Sequence, residues 1–263
     1  MLSNGKLSRR TKVLYGAGDI GFALTDTTIG VLFAIFLTDV VGLSPSLAAA
    51  AVFIGRSSDY INDPLIGYLT DRTRTRWGRR RPFLLFGFLP FALAFAALWW
   101  KPPIASQWGL VIYYALAYVL YDAAATFVYM PYFALTPELT PDYDERTSLT
   151  SYRMAFSIIG GLIAFTVPLM VIGSMRPENA GRVATTGLFL GLLAALPLLL
   201  AFLGTRERPE YMQRAQPAFK DSLRAAARNR PFVFAAGIFL FTWTAIEIIQ
   251  AMLLYFLKYR MNL

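Results

Sequence analysis

Apolar segments of about 20 residues, the length of helix that crosses a bilayer core, recur along this chain and constrain its fold. We place them at residues 13–38, 46–70, 83–100, 108–135, 149–174, 184–204 and 231–257. The composition agrees, because 56% of the residues are hydrophobic and only 16% are charged, against about a quarter in an average soluble domain. The sequence therefore predicts an all-α membrane protein with seven transmembrane helices.

The basic residues orient these predicted spans. With the N-terminus in the cytoplasm, 18 of the 25 Lys and Arg fall in cytoplasmic segments and 5 in external ones. Cytoplasmic loops are enriched in Lys and Arg. We therefore expect a multi-pass protein of the cell inner (plasma) membrane with a cytoplasmic N-terminus. The net charge of +9 then needs no nucleic-acid partner.

The spans divide the chain into three parts. Residues 1–204 are expected to form a six-helix transmembrane bundle whose first helix is retained, since no signal-peptide cleavage pattern precedes it. Residues 205–230 form a cytoplasmic linker with an amphipathic helix, in which Lys220, Arg224 and Arg228 recur every four residues. Residues 231–263 contain a seventh helix. Transporters pair two similar halves, so six helices plus one suggest a fragment.

Two residue types are absent, which excludes several kinds of chemistry. The chain has no Cys and no His. Disulfides, thiolate or imidazole metal sites and histidine-activated nucleophiles are therefore excluded. We expect a protein that is not an enzyme and that has no cofactor other than a coupling ion.

Charged residues inside the predicted spans are candidates for function, because each costs at least about 2 kcal/mol at mid-membrane. The acids are Asp19, Asp26, Asp59, Asp63, Asp122 and Glu247, and the bases are Arg56 and Arg153. If all were ionised, the interior would carry a charge of −4, which requires bound cations or protonated carboxyls. These charges predict proton or sodium binding.

Three residues of the second span are placed to bind one ion. Asp59 and Asp63 are four residues apart, and Asn62 lies beside them, so two carboxylates and an amide oxygen can converge. Oxygen ligands suit a hard cation such as sodium, and Asp59 and Asp63 are its predicted ligands unless the ion is a proton. Alternatively, Arg56 and one aspartate form a buried structural pair while the other carboxyl is protonated.

Two helical stripes are expected to line one cavity for a solute. The first stripe is Asp19, Ala23 and Asp26, and the second is Asp122, Thr126, Tyr129 and Phe133. Alternatively, the aromatic residues simply pack. Arg153 can bind oxygens of an anionic or hydroxylated substrate with its planar guanidinium, or it can extend to the cytoplasmic surface.

Two predicted cytoplasmic loops carry opposite charges. The loop 136–148 contains Glu138, Asp142, Asp144 and Glu145, and the loop 71–82 contains Arg72, Arg74, Arg76 and Arg79. We hypothesise that pairs between these loops close the cytoplasmic side in one transport state. The alternative is plain solvated charge, because single exposed pairs are weak.

Several motifs resemble a known transporter family. Residues 67–72 (GYLTDR) and 76–81 (RWGRRR) resemble the loop signature between helices 2 and 3 of the major facilitator superfamily. With residues 56–64 (RSSDYINDP), 38–42 (TDVVG) and 130–135 (MPYFAL), nearly the whole chain resembles the glycoside-pentoside-hexuronide:cation symporter family.

The resemblance implies a fold and a set of site residues. The family has twelve helices in two halves of six, so this chain corresponds to the N-terminal bundle plus helix 7. The family's cation ligands match Asp59, Asn62, Asp63 and Thr126, and its sugar-binding positions fall at Ala23, Tyr129, Phe133 and Arg153. Only Arg153 keeps the family's residue at a sugar position. The loop signature marks Asp71, Arg72, Arg76, Gly78 and Arg79 as gating residues.

The resemblance implies a symporter that couples sodium or proton entry to uptake of a small solute, most simply a sugar or glycoside. A vertebrate lysophosphatidylcholine carrier of the same family looks similar around residues 131–135, so a lysolipid or other amphiphile is an alternative. We expect the bilayer and a small-molecule substrate as partners; the sequence does not indicate an oligomeric state.

Two functions of other classes compete with transport. Intramembrane aspartyl proteases use Tyr-Asp and Gly-x-Gly-Asp motifs, and residues 121–122 and 16–19 contain both patterns, although in reversed order. A channel lined by charged residues is the other competitor.

Overall fold

The structure, a computed structural model, describes residues 2–3, 6–207 and 219–261 and is built almost entirely of helices. A short antiparallel pair, β1 (Leu2–Ser3) and β2 (Lys6–Leu7), precedes the helices. The helices are α1 (Arg9–Gly16), α2 (Gly18–Thr28), α3 (Pro45–Arg56), α4 (Asp59–Arg72), α5 (Arg81–Leu98), α6 (Gln107–Leu139), α7 (Tyr143–Ile172), α8 (Ala180–Gly204), α9 (Phe219–Arg228) and α10 (Arg230–Arg260). Two π-helical segments, Ile29–Phe33 and Phe36–Val41, extend α2, and a 3₁₀ turn, Pro177–Asn179, precedes α8.

Five helices in the described ranges are long and apolar enough to cross a membrane. They are Arg81–Leu98, Gln107–Leu139, Tyr143–Ile172, Pro177–Gly204 and Arg230–Gln250. These five correspond to the third to seventh predicted spans. The first and second predicted spans are helical but interrupted, the first near Ala17 and the second at Ser57 and Ser58.

Hydroxyl side chains bond to backbone carbonyls next to the irregular parts of these two spans. The hydroxyl of Thr28 donates to the Leu24 carbonyl at 2.6 Å, just before the first π-helical segment. Between α3 and α4, Ser57 donates to the Phe53 carbonyl at 2.7 Å. Such bonds compete with the backbone ladder and bend helices.

Residues with special backbone properties set many helix ends. Asp142 accepts a hydrogen bond from the Glu145 amide at 2.8 Å and so caps the start of α7. Gly42, with φ of 91°, ends the helical path of the first span, and Gly173, with φ of 75°, ends α7. Both conformations favour glycine.

The first six spans pack into one bundle around an aromatic-rich core. Helix α2 packs on α7 and α8, α6 packs on α3, α4 and α5, and α5 also packs on α8. Gly21 allows the close approach of α2, because a Cβ at this position would overlap the Ala194 carbonyl and the Tyr129 hydroxyl. Large apolar side chains such as Leu116 and Leu120 remain exposed on the outside, as expected for a lipid-facing surface.

The last two helices follow the bundle in the chain. Helix α9 lies within the predicted linker 205–230, whereas residues 208–218 of that linker lie outside the described residues. Helix α10 contacts the π-helical segment Ile29–Phe33 of the first span. The division into bundle, linker and seventh helix stays a prediction.

Candidate functional site

A cavity of about 770 Å³ lies between the first, second and fourth spans and α10. Its acidic lining residues are Asp26, Asp59, Asp63, Asp122 and Glu247, and its basic lining residue is Arg56. Its aromatic lining residues are Phe22, Tyr118, Tyr121, Tyr129, Phe133 and Trp243. The cavity therefore combines an excess of carboxylates with several ring faces.

Helix α6 presents polar groups to the second span at every fourth residue. Tyr118 accepts from Arg56 Nε at 3.0 Å, and one turn further Asp122 accepts from Asn62 Nδ2 at 2.9 Å. After another turn, Thr126 donates to Asp63 Oδ1 at 3.2 Å. Residues four apart lie on the same helix face, so α6 and the second span are aligned by three successive contacts.

The four predicted cation ligands lie at this helix pair. Thr126 and Asp63 are in direct contact, and Asp59 lines the cavity one helical turn before Asp63. Asn62 directs its amide nitrogen at Asp122. Within the described ranges, no three His, Cys, Asp or Glu residues are grouped so as to hold a metal ion.

Arg56 pairs with α10 and not with an aspartate of its own span. Its Nη1 atom donates to Glu247 Oε2 at 2.8 Å, while its Nε atom donates to Tyr118. The suggested structural pair between Arg56 and Asp59 or Asp63 is therefore wrong. The role of Glu247 could not be inferred from the sequence, because its partner lies 191 residues away in the chain.

The predicted solute residues fall into two groups. Asp26, Asp122, Tyr129 and Phe133 line the cavity, whereas Asp19, Ala23 and Arg153 are not among its lining residues. The rings of Tyr129 and Phe133 are stacked, with centroids 6.0 Å apart. These two aromatic residues therefore both pack and face the cavity, and their role in solute binding stays a prediction.

Asp19 and Arg153 bind each other beside the cavity. Arg153 Nε donates to Asp19 Oδ2 at 2.6 Å and its Nη2 donates to Oδ1 at 3.3 Å. Their side chains are 13% and 3% exposed for Arg153 and Asp19, respectively. Arg153 also donates to Thr136 and lies over the Phe133 ring. It therefore does not extend to the surface, and its role in substrate binding stays a prediction.

The two oppositely charged loops meet through one predicted pair. Glu138 Oε1 lies 2.5 Å from Arg79 Nη2 and 3.0 Å from Arg80 Nη2. Asp71 also pairs with Arg80, at 3.4 Å. The Arg79–Glu138 pair agrees with the latch hypothesis, and its role in closing the cytoplasmic side stays a prediction.

Other members of these loops have different partners. Arg72 lies over the Tyr68 ring, and Arg76 lies over the Trp77 ring. Glu145 pairs with Lys12 at 3.0 Å. In this conformation Arg72, Arg76 and Glu145 therefore have partners other than the opposite loop, and their pairing across the two loops in another transport state stays a prediction.

Glu207 holds the start of α5, which the sequence did not indicate. Its carboxylate accepts from the backbone amides of Arg79, Arg80 and Arg81 at 2.6, 2.7 and 2.9 Å. The amides at a helix start have no partner within the helix and favour negative charge. Because the three partners are backbone amides, no side-chain motif in the sequence indicates that Glu207 binds them.

Comparison with known proteins gives the family relationship. The model of the family described as "MFS/sugar transport protein" matches residues 14–262. An uncharacterized symporter of Synechocystis sp. is 40% identical over 244 residues, covering 91% of this chain and 44% of that protein. The isoprimeverose transporter of Lactiplantibacillus pentosus is 27% identical over 252 residues, covering 94% and 52%. Sodium-dependent lysophosphatidylcholine symporter 1-A of Danio rerio is also 27% identical, over 286 residues, covering 96% and 53%. The chain spans about half the length of these relatives.

Proposed function

Because the chain belongs to the glycoside-pentoside-hexuronide:cation symporter family of the major facilitator superfamily, we propose that it serves cation-coupled uptake of a small solute by alternating access. The observation that carries the proposal is the carboxylate-rich cavity between the first, second and fourth spans and α10. A cavity that holds five carboxylates and one arginine needs cations or protons for balance. A coupling ion meets that need.

The coupling ion is assigned to the face shared by α4 and α6. Asp59 and Asp63 supply the charge, and Thr126, already hydrogen-bonded to Asp63, supplies a hydroxyl oxygen. Asn62 supplies an amide oxygen. These hard ligands fit sodium, and the two carboxylates alone fit a proton.

The solute is assigned to the rest of the same cavity. Tyr129 and Phe133 offer ring faces for the apolar side of a sugar ring, and Asp26 offers hydrogen-bond acceptors. A glycoside is the first candidate. An amphiphile is the second, because the isoprimeverose transporter and the lysophosphatidylcholine symporter match this chain with equal identity.

An aspartyl protease fits the contacts poorly. Such an enzyme needs two carboxyls that share a proton. The two motifs would pair Asp19 with Asp122, but here Asp19 is bound by Arg153, and Asp122 is bound by Asn62. We therefore retain transport, at the inner membrane and with a cytoplasmic N-terminus, as the proposed function.

The test is uptake by the protein expressed from its whole reading frame and reconstituted in vesicles. Radiolabelled glycosides and lysolipids are offered with and without an imposed sodium or proton gradient. We expect saturable uptake that increases with one of these gradients. Uptake that does not saturate would favour a channel, and peptide cleavage without uptake would favour a protease.

Variants of the ion site sharpen this test. Asp59→Asn and Asp63→Asn should each lower gradient-driven uptake at least tenfold, because each removes a charge that the ion neutralises. Glu178→Gln, at an exposed acid outside the cavity, is the matched control and should transport normally. Full coupled uptake by both aspartate variants would refute the ion site.

A further inference from the structure

Asp122 has contacts that fit a role other than solute binding. It is 7% exposed, although it lines the cavity. Its Oδ2 atom accepts from Asn62 Nδ2 at 2.9 Å and lies 2.6 Å from the Ser58 hydroxyl. Both contacts come from the helical segment that also carries Asp59 and Asp63, and the Asp59 carboxyl of that segment is a further hydrogen-bond partner of Asp122.

Of the two donors to Asp122, Asn62 has fewer competing acceptors than Ser58. The Ser58 hydroxyl lies 2.6 Å from both the Gly55 carbonyl and Asp122, and its single proton serves one acceptor at a time. The amide of Asn62 has no such competition among the hydrogen bonds of the described chain. The contact with Asp122 therefore orients the Asn62 side chain more strongly than it orients the Ser58 hydroxyl.

This contact determines which way the Asn62 amide faces. The Asn62 amide nitrogen donates to Asp122 Oδ2, and an amide nitrogen can only donate, so this side of the amide group faces Asp122. The amide oxygen then projects from the other side of the planar group. That oxygen is the atom that the proposed cation site requires.

We propose that Asp122 is a positioning residue of the cation site, which holds Asn62 so that its amide oxygen is presented to the coupling ion. The inference rests on the proposed function. It assigns Asp122 to the ion and not to the solute. Substituting a residue that orients an ion ligand by a hydrogen bond typically lowers the ion affinity about 10- to 100-fold.

Thr126 is held in a similar way on the same face of α6. It lies one helical turn after Asp122 and donates to Asp63. One face of α6 therefore contacts two neighbouring residues of α4, Asn62 through an acceptor and Asp63 through a donor. The first contact occupies the Asn62 nitrogen and leaves its amide oxygen available to a cation. The second occupies Asp63 Oδ1 and leaves the other carboxylate oxygen available.

The experiment is a double-mutant cycle on the whole reading frame in vesicles. The half-saturating sodium concentration for uptake is measured for the unmodified protein, Asn62→Ala, Asp122→Ala and the double variant, with an external pH series run in parallel. Each single change should raise the half-saturating concentration of the coupling ion about tenfold. The losses in the double variant should be clearly less than additive, because Asn62→Ala removes the amide oxygen that Asp122→Ala displaces, although Asp122→Ala also removes a hydrogen-bond partner of Asp59.

Two further measurements separate positioning from solute binding. At saturating coupling ion, Asp122→Ala should leave the half-saturating solute concentration unchanged. Asp122→Asn, whose side-chain oxygen still accepts from Asn62, should recover most of the ion affinity. Glu178→Ala serves as the control for loss of an acid elsewhere.

The outcomes distinguish this inference from the proposed function. Absence of ion-dependent uptake in the unmodified protein overturns the proposed function and the inference with it. Ion-dependent uptake with additive losses in the double variant, or a weaker solute affinity in Asp122→Ala, overturns the inference alone. If Asp122→Ala does not fold, Asp122→Ser, which is too short to hold the amide, carries the same expectation.

Discussion

At the scale of single residues, Asp19 and Arg153 show how a partner decides what a side chain can do. The sequence predicted that both line the solute site, since each is a charge inside a predicted span. In the structure they bind each other through two hydrogen bonds. An arginine that is already held by a carboxylate has fewer donors for a solute.

The first prediction concerns this pair. Asp19→Asn should destabilise the protein by about 3–5 kcal/mol, because it leaves the Arg153 charge buried without its partner. The measurement is thermal unfolding of the purified protein in detergent. Replacing both residues, as Asp19→Leu with Arg153→Met, should recover most of the stability.

Uptake by the double variant then tests the roles of both residues. A stable double variant that still transports would assign the pair to folding alone. A stable double variant that has lost uptake would contradict a purely structural pair.

At the scale of elements, the contact between the loop 71–82 and the segment that follows α8 depends on backbone groups. Glu207 accepts three amides at the start of α5, and the preceding Gly78 has φ of 112°. A Cβ at Gly78 would lie 2.5 Å from the Glu207 carboxylate. Glycine is therefore required here for two separate reasons.

The second prediction follows from this geometry. Gly78→Ala should destabilise the protein by about 1–3 kcal/mol, since a residue with a Cβ is strained at positive φ. Gly181→Ala is the control, because open space surrounds that position. Equal melting temperatures for the two variants would contradict the account.

The sequence predicted the helices of this molecule better than their interruptions. The third to seventh spans follow from apolar length alone. The break at Ser57 and Ser58 does not follow from apolar length, which carries no information on the hydrogen bonds of these two hydroxyls to the Phe53 and Gly55 carbonyls. Likewise, helical spacing brought Asp59, Asn62 and Asp63 together, but the amide contact with Asp122 needed the neighbouring helix.

At the scale of the whole molecule, α10 is joined to the bundle across the cavity. The Arg56–Glu247 pair is one connection, and the approach of Gln250 to Gly30 is another. A Cβ at residue 30 would lie 3.9 Å from the Gln250 Cβ. That separation is close to the mean of about 3.8 Å in disulfides.

The third prediction uses the absence of native cysteine. Gly30→Cys with Gln250→Cys should form a disulfide under mild oxidation. A protease site inserted within residues 208–218 makes the bond visible, because the cleaved fragments stay together on a gel until a reductant is added. Gly181→Cys with Gln250→Cys should give separate fragments. Separate fragments from the first pair would show that α10 does not pack as described.

Trp243 gives the cavity a spectroscopic signal of its own. It lies on α10 and lines the same space as Asp26, Arg56 and Glu247. Indole fluorescence responds to the polarity of its surroundings and to nearby quenchers. Once the other four tryptophans are replaced by phenylalanine, filling or emptying the cavity should therefore change the remaining emission, and occupancy can be followed by fluorescence without an attached dye.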